Sequence, residues 1–198
     1  MRRLPWVVTL VAGLTLVVAC SSGRPRTAPG GASGPMMFKV SGVDVQSVNQ
    51  PQPALPDAVK TNVTSTLDAY LDRASAAPLR SGSHAGDLAP VFTAGALARV
   101  KGPDRPTLVD EGLPAATDVR ASTSTAKLGA LAGADNNIEV VTATIDVRLQ
   151  TSGDSPVAIT RTGDLVLVAD GDAWKIDGYD LSTARDSGDG PVTTTARK

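Results

Sequence analysis

The chain has 198 residues, with 19 Lys+Arg, 20 Asp+Glu, one His, one Cys and two Trp; 41% are hydrophobic and only 3% aromatic. A formal charge of −1 excludes the basic surplus of a dedicated nucleic-acid binder. One Cys excludes an internal disulfide, a lone Cys with a lone His excludes a Cys/His zinc site, and one His leaves little room for His-based catalysis.

Arg2 and Arg3 form a short positive n-region, and Val7 to Val18 is a 12-residue run of apolar or small residues. That length suits a secretory h-region and is too short to span a bilayer core. The run ends in Val17-Val18-Ala19-Cys20, which resembles the bacterial lipobox. The resemblance implies a diacylglyceryl group on the Cys20 thiol, cleavage between Ala19 and Cys20, and acylation of the new N-terminus. Residues 1–6 lack the rest of a twin-arginine pattern, so the general secretory route is expected. The expected location is the extracytoplasmic face of the cell membrane. Each buried methylene contributes about 0.8 kcal/mol and a single acyl chain holds only marginally, so two or three chains are needed for stable attachment. Loss of residues 1–19 removes two Arg and no acid, which brings the net charge to about −3. Such a domain gains nothing from anionic lipid, and the acyl chains carry the anchoring.

Residues 20–56 are expected to be a flexible tether and an extended lead-in. Ser21 to Pro35 is rich in Gly, Ser and Pro and lacks the apolar residues that offset ordering entropy. Met36 to Pro56 carries Phe38, Val40, Val43, Val45 and Val48, and closes with Pro51, Pro53 and Pro56. It reads as a weakly ordered segment, either a short strand or a stretch laid on the domain.

The spacing of Val59, Val63, Leu67, Tyr70, Leu71 and Ala74 predicts a helix from Asp57 to about Ala76. Asp57 suits its N-cap, and Pro78 is expected to stop it. A second helix is expected from Asp87 to Val100, with Leu88, Val91, Phe92 and Gly95 on one face. Gly102 and Pro103 end it. Gly102 to Pro114 reads as a loop with at most one short turn. The period then changes from 3.6 to 2. Strands are predicted over Val119–Leu128, Ile138–Gln150, Pro156–Ala169 and Ala173–Tyr179. Asp170-Gly171-Asp172 marks a tight hairpin between the last two. Residues 182–198 are polar and expected to be a frayed tail. The fold class is therefore α+β, with two N-terminal helices packed on a curved, roughly four-stranded antiparallel sheet, and the domain spans 57–181.

Leu67-Asp-Ala-Tyr-Leu71, Asp87-Leu-Ala-Pro-Val-Phe-Thr93 and Asp170-Gly-Asp-Ala-Trp-Lys-Ile176 together resemble the NTF2-like (cystatin-like, SnoaL-like) superfamily. Within it the chain is similar to actinobacterial envelope lipoproteins and Mce-associated proteins. The resemblance implies a bent sheet enclosing a cone-shaped cavity. Tyr70, Phe92, Arg161 and Trp174 are the candidate pocket residues, though the three aromatics read first as core.

The remaining constellations point away from catalysis. His84 falls in a loop and reads as exposed. Asp170 and Asp172 read as turn residues, and two carboxylates fall short of the six or more oxygens a calcium site needs. Asp177 and Asp180, beside Tyr179, read as an exposed pair. Arg161 shares parity with Ile159 and Leu165, which aims it at the core, where an unpaired Arg is costly. Either it meets an anionic group in a wet cavity, or Gly163 marks a bulge that switches faces; the bulge is favoured. No nucleophile motif, phosphate loop or metal-ligand set is visible, and no cofactor is expected.

The leading expectation is an exported, lipid-anchored, non-catalytic binding module. Its partner would be an envelope protein or an apolar small molecule, and the resemblance suggests an accessory role in lipid or solute transport. The alternatives are a SnoaL-like isomerase or hydrolase with its active site in the cone, and a structural homodimer packed through the sheet.

Overall fold

The computed structural model describes residues 36–47, 52–188 and 190–198. The expected signal segment, Ala19, Cys20 and the tether lie outside the described residues, as do Val48 and Pro51.

The architecture corrects the expected one. A six-stranded mixed sheet, in the order β1-β2-β3-β4-β5-β6, packs against a single 25-residue helical run, Asp57 to Ser81. The strands are β1 Lys39–Ser47, β2 Asp118–Ala132, β3 Ile138–Ser152, β4 Ala158–Asp170, β5 Ala173–Asp186 and β6 Pro191–Arg197. β1 pairs parallel to β2, from Lys39 opposite Thr125 to Ser47 opposite Ala132. The other four pairings are antiparallel.

Two strands account for the difference in the sheet. Of the two alternatives for the lead-in, the strand is the one found, over Lys39–Ser47, and it joins the sheet. Phe38, just before it, is buried, and its N–H donates to Asp68 Oδ1 at 2.7 Å. The expected tail over 182–198 extends β5 to Asp186 and then forms β6. An edge strand needs few inward apolar residues because one side of its ladder already supplies its order. In β6 Ala196 is the one buried residue, and Val192 points to solvent.

The helical run outlasts Pro78 because of a local change of pitch. α1 (Asp57–Leu71) passes into a π turn over Asp72–Ala76, which leads into α2 (Ala77–Ser81). The Ala77 N–H reaches back to the Asp72 carbonyl, one residue further than in an α-helix. That wider turn accommodates a proline, which has no N–H and would collide with the carbonyl four residues earlier. The two carbonyls left over are satisfied from outside the helix. Arg73 O accepts from Gly86 N at 3.1 Å, and Ala74 O accepts from Asp110 N at 2.8 Å. The run ends at Gly82, in the left-handed conformation. Asp57 opens α1 in its first turn, with Pro56 at the cap position and no side-chain cap.

The second expected helix is shorter. Residues 91–93 lie along the stretch of β5 that β6 leaves uncovered, with a parallel bridge between Phe92 and Ile176. Thr93 N donates to Ile176 O, and Ile176 N donates to Val91 O, at 3.0 and 2.9 Å. A backbone paired this way is extended, so α3 covers only Ala94–Val100, capped by the Thr93 hydroxyl. The short α4 (Arg105–Leu108) follows.

The core lies between the helical run and one face of the sheet. The inward parity of β3 is Val141, Ala143, Ile145, Val147 and Leu149, as the alternation predicts. β4 keeps one inward parity from Ile159 through Arg161 to Leu165 and Leu167. The bulge expected at Gly163 lies instead in β5. Val166 pairs with Gly178 and Leu167 with Ile176, which leaves Asp177 as the extra residue. The inward parity of β5 therefore changes from Trp174 and Ile176 to Tyr179 and Leu181.

Candidate functional site

The charged group at the centre of the domain is Arg161. It is only 1% exposed. Its Nε donates to Thr183 Oγ1 at 3.0 Å, Nη1 to Ser75 Oγ at 2.9 Å and Nη2 to Asp110 Oδ2 at 2.9 Å. The guanidinium carbon stands 5.8 Å from the centre of the Tyr70 ring, a cation–π contact. Burial works against the charge, but Asp110 and Tyr70 outweigh it and hold the pKa above its ordinary value.

Each partner arrives by a different route. Ser75 comes from the π turn, Thr183 from the extension of β5, and Asp110 from the loop after α4. The Thr183 hydroxyl in turn donates to Thr107 O at 2.7 Å, and the Tyr70 hydroxyl donates to Leu108 O at 2.9 Å. These bonds hold the 107–110 segment to both α1 and β5. Burial raises the Tyr70 pKa, so the phenol stays protonated and keeps that donor.

Asp110 carries a second arginine. Arg185 Nε donates to Asp110 Oδ1 at 2.8 Å, and its Nη2 donates to Val109 O at 3.0 Å. Two guanidiniums thus share one buried carboxylate. Just outside, Arg105 binds Glu111 through both nitrogens, Nε to Oε1 and Nη2 to Oε2, the latter at 2.7 Å. The Arg105 bonds hold the Glu111 carboxyl down at about 2, against the weaker effect of burial.

This depression gives a pH dependence with a defined sign. A carboxylate whose folded pKa lies below its unfolded value stabilises the fold at neutral pH, and that contribution fades as the pH falls from about 4.5 to about 2. Thermal melts of the wild type should drop more steeply across that interval than melts of Glu111→Gln. Parallel curves would assign the acid sensitivity to other groups.

A cleft of about 430 Å³ opens beside this pair, lined by Gly102, Arg105, Pro106, Val109, Glu111, Leu113 and Arg185. Its volume falls within the ~300–1,000 Å³ of small-molecule sites. Another cleft, of about 480 Å³, lies between β1 and the lead-in to α1, along Val43–Val45, Gln52–Leu55, Asp57 and Lys60.

The four candidate pocket residues line neither cleft. Tyr70, Phe92, Arg161 and Trp174 are all buried in the core. Tyr70 and Phe92 meet edge to face, with ring centres 5.7 Å apart, and Arg161 joins them through Tyr70. Trp174 stands apart from those ring contacts, and its carbonyl accepts from the Thr66 hydroxyl at 2.8 Å. Arg161 faces the core but meets a protein carboxylate there instead of a wet cavity. Asp110, Arg185 and Glu111 escaped the sequence reading. Two stood in the presumed loop and one in the presumed tail, where no periodicity marks an inward position.

The other expected residues sit as follows. The His84 side chain is 93% exposed, 3.5 Å from Glu111 Oε2. Asp170 pairs with Lys175, and Gly171 turns the hairpin at φ 63°. Asp177 accepts from Thr93 Oγ1 at 2.6 Å while Asp180 pairs with Arg197 at 2.9 Å, so the two acids do not act together. Among the described residues no group of three or more His, Cys, Asp or Glu is placed to hold a metal ion. No helix among them is long and apolar enough to cross a membrane.

Comparison with protein-family models, with curated proteins and with solved structures finds no match to this chain.

Proposed function

We propose that the protein is exported and held by lipid at the extracytoplasmic face of the cell membrane, where its domain serves as a non-catalytic binding module. The observation that carries the anchoring is the coincidence of Arg2 and Arg3, the apolar run Val7 to Val18 and the sequence Val17-Val18-Ala19-Cys20, which holds the chain's one cysteine. The resemblance of residues 67–71, 87–93 and 170–176 to Mce-associated and other envelope lipoproteins supports an accessory role in lipid or solute transport. The central polar cluster has a structural role in this reading, because each nitrogen of Arg161 already donates to a protein oxygen.

Cys20→Ser tests the anchor. The variant should lose incorporation of labelled fatty acid, keep its uncleaved N-terminal segment and leave the lipoprotein pool. Unchanged fatty-acid labelling would defeat the proposal. Purification of the unaltered protein from membranes, followed by mass spectrometry for retained lipids and proteins, tests the binding role. A preparation without either would remove its support.

A further inference from the structure

The cleft beside Arg185 has two properties that together define an occupant. Its walls include Pro106, Val109 and Leu113, and carbon dominates its surface. The charge of the cluster behind and along it is unbalanced. Arg105, Arg161 and Arg185 bring three guanidiniums, while Asp110 and Glu111 bring two carboxylates. Arg105 and Glu111 satisfy one another, and Arg161 is sealed inside with Asp110. The surplus positive charge therefore falls on Arg185, whose side chain is 15% exposed and lines the cleft. Its Nε and Nη2 are engaged by Asp110 and Val109, while Nη1 has no partner among the described residues. A largely buried guanidinium with one unpaired nitrogen, beside apolar walls, attracts an anion more strongly than the same group in water.

We propose that this cleft binds an amphiphilic monoanion, a carboxylate carrying an alkyl chain, with the carboxylate on Arg185 Nη1 and the chain along Pro106, Val109 and Leu113. The site deepens the binding-module reading by naming a ligand class, and it stands independently of the lipid anchor. An alkyl carboxylate matches each property of the cleft. The head neutralises the surplus charge, and the chain covers the apolar wall at about 25 cal/mol per Å² removed from water. Acetate lacks the second interaction and octanol lacks the first.

Titration of the purified full chain, against buffer alone, tests the site with octanoate, 1-octanol and acetate as probes. Octanoate should bind at least about tenfold more tightly than either of the others, as one charge-assisted contact plus chain burial requires. Arg185→Gln should bring octanoate down to the level of octanol, while Arg185→Lys, which keeps the charge, should retain most of the preference. The wild-type comparison needs no variant, so it decides the matter even if Arg185→Gln fails to fold. Equal binding of octanoate and octanol, or undetectable octanoate binding, would overturn the proposal. A negative titration alongside a partner retained in the membrane preparation would remove this ligand and leave the binding-module reading intact.

Discussion

Asp110→Ala is expected to be the most damaging single substitution in the domain. It removes the buried carboxylate that both Arg161 and Arg185 address, at 2.9 and 2.6 Å. Arg185 reaches the cleft and can turn toward water. Arg161 cannot, and leaving one partner of a buried pair without the other costs about 3–5 kcal/mol. Against a total stability of about 5–15 kcal/mol this is a large fraction. The melting temperature should fall by roughly 6–20 °C, given about 2–4 °C per kcal/mol for a domain of this size. The double substitution Arg161→Met, Asp110→Leu should recover most of the loss, because an apolar pair of similar volume needs no desolvation of charge. Equilibrium urea denaturation of the three proteins checks the order. If Asp110→Ala unfolds at the wild-type midpoint, the central ion pair does not hold the fold. If the double substitution is no better than the single one, the cost lies in the hydrogen bonds of the 107–110 segment, not in the stranded charge.

Gly163→Ala should rank next, for a reason of space. Gly163 sits in β4 opposite Leu181 at φ 129°, and a Cβ there would lie 2.1 Å from the Asp180 carbonyl oxygen. The atoms it meets belong to the backbone of the neighbouring strand, so no side chain can swing aside. Either β4 and β5 separate locally or Gly163 adopts a new conformation, and both break ladder bonds. A loss of about 2–4 kcal/mol is expected. Gly171→Ala supplies the control. Its φ is also positive, at 63°, but a Cβ there meets nothing within 4 Å. That change should cost only the left-handed penalty, about 1–2 kcal/mol. Denaturation midpoints that place Gly163→Ala at or below Gly171→Ala would show that the approach of Asp180 is not what requires glycine.

These two positions mark how far the sequence could be read. Strict alternation places Arg161 on the inward face, and the structure keeps it there. Burying a charge argued for a bulge at Gly163 because no partner was in sight. The partner is Asp110, 51 residues away in a stretch with neither period, and nothing local marks that residue as inward. Gly163 is special for the close pass of β5, a property of two strands together that one strand's sequence does not display. Pro78 was a similar case. Proline ends a regular α-helix, but whether a wider turn absorbs it depends on donors elsewhere, here Gly86 and Asp110, to take up the freed carbonyls. The β3 alternation needed no such distant information, and its inward residues were fully legible. β6 was missed, and β1 left open between a strand and a stretch laid on the domain, for the opposite reason to Arg161. An edge strand leans on one neighbour, so its own sequence need not alternate clearly.

The parallel pairing of β1 with β2 also bears on the order in which the molecule assembles. Strands β2 to β6 follow one another as neighbours and can zip from turn to turn, each step closing a short loop. β1 must instead find a strand whose first partner, Thr125, comes long after Lys39, with the whole helical run in between. Loop closure of that length carries the larger entropy cost, and non-local pairings of this kind slow folding. Among the described strands, β1 is thus expected to dock after β2 to β6 have paired. Until residue 132 has been synthesised, Phe38 and Val40 lack the strand that β1 pairs with.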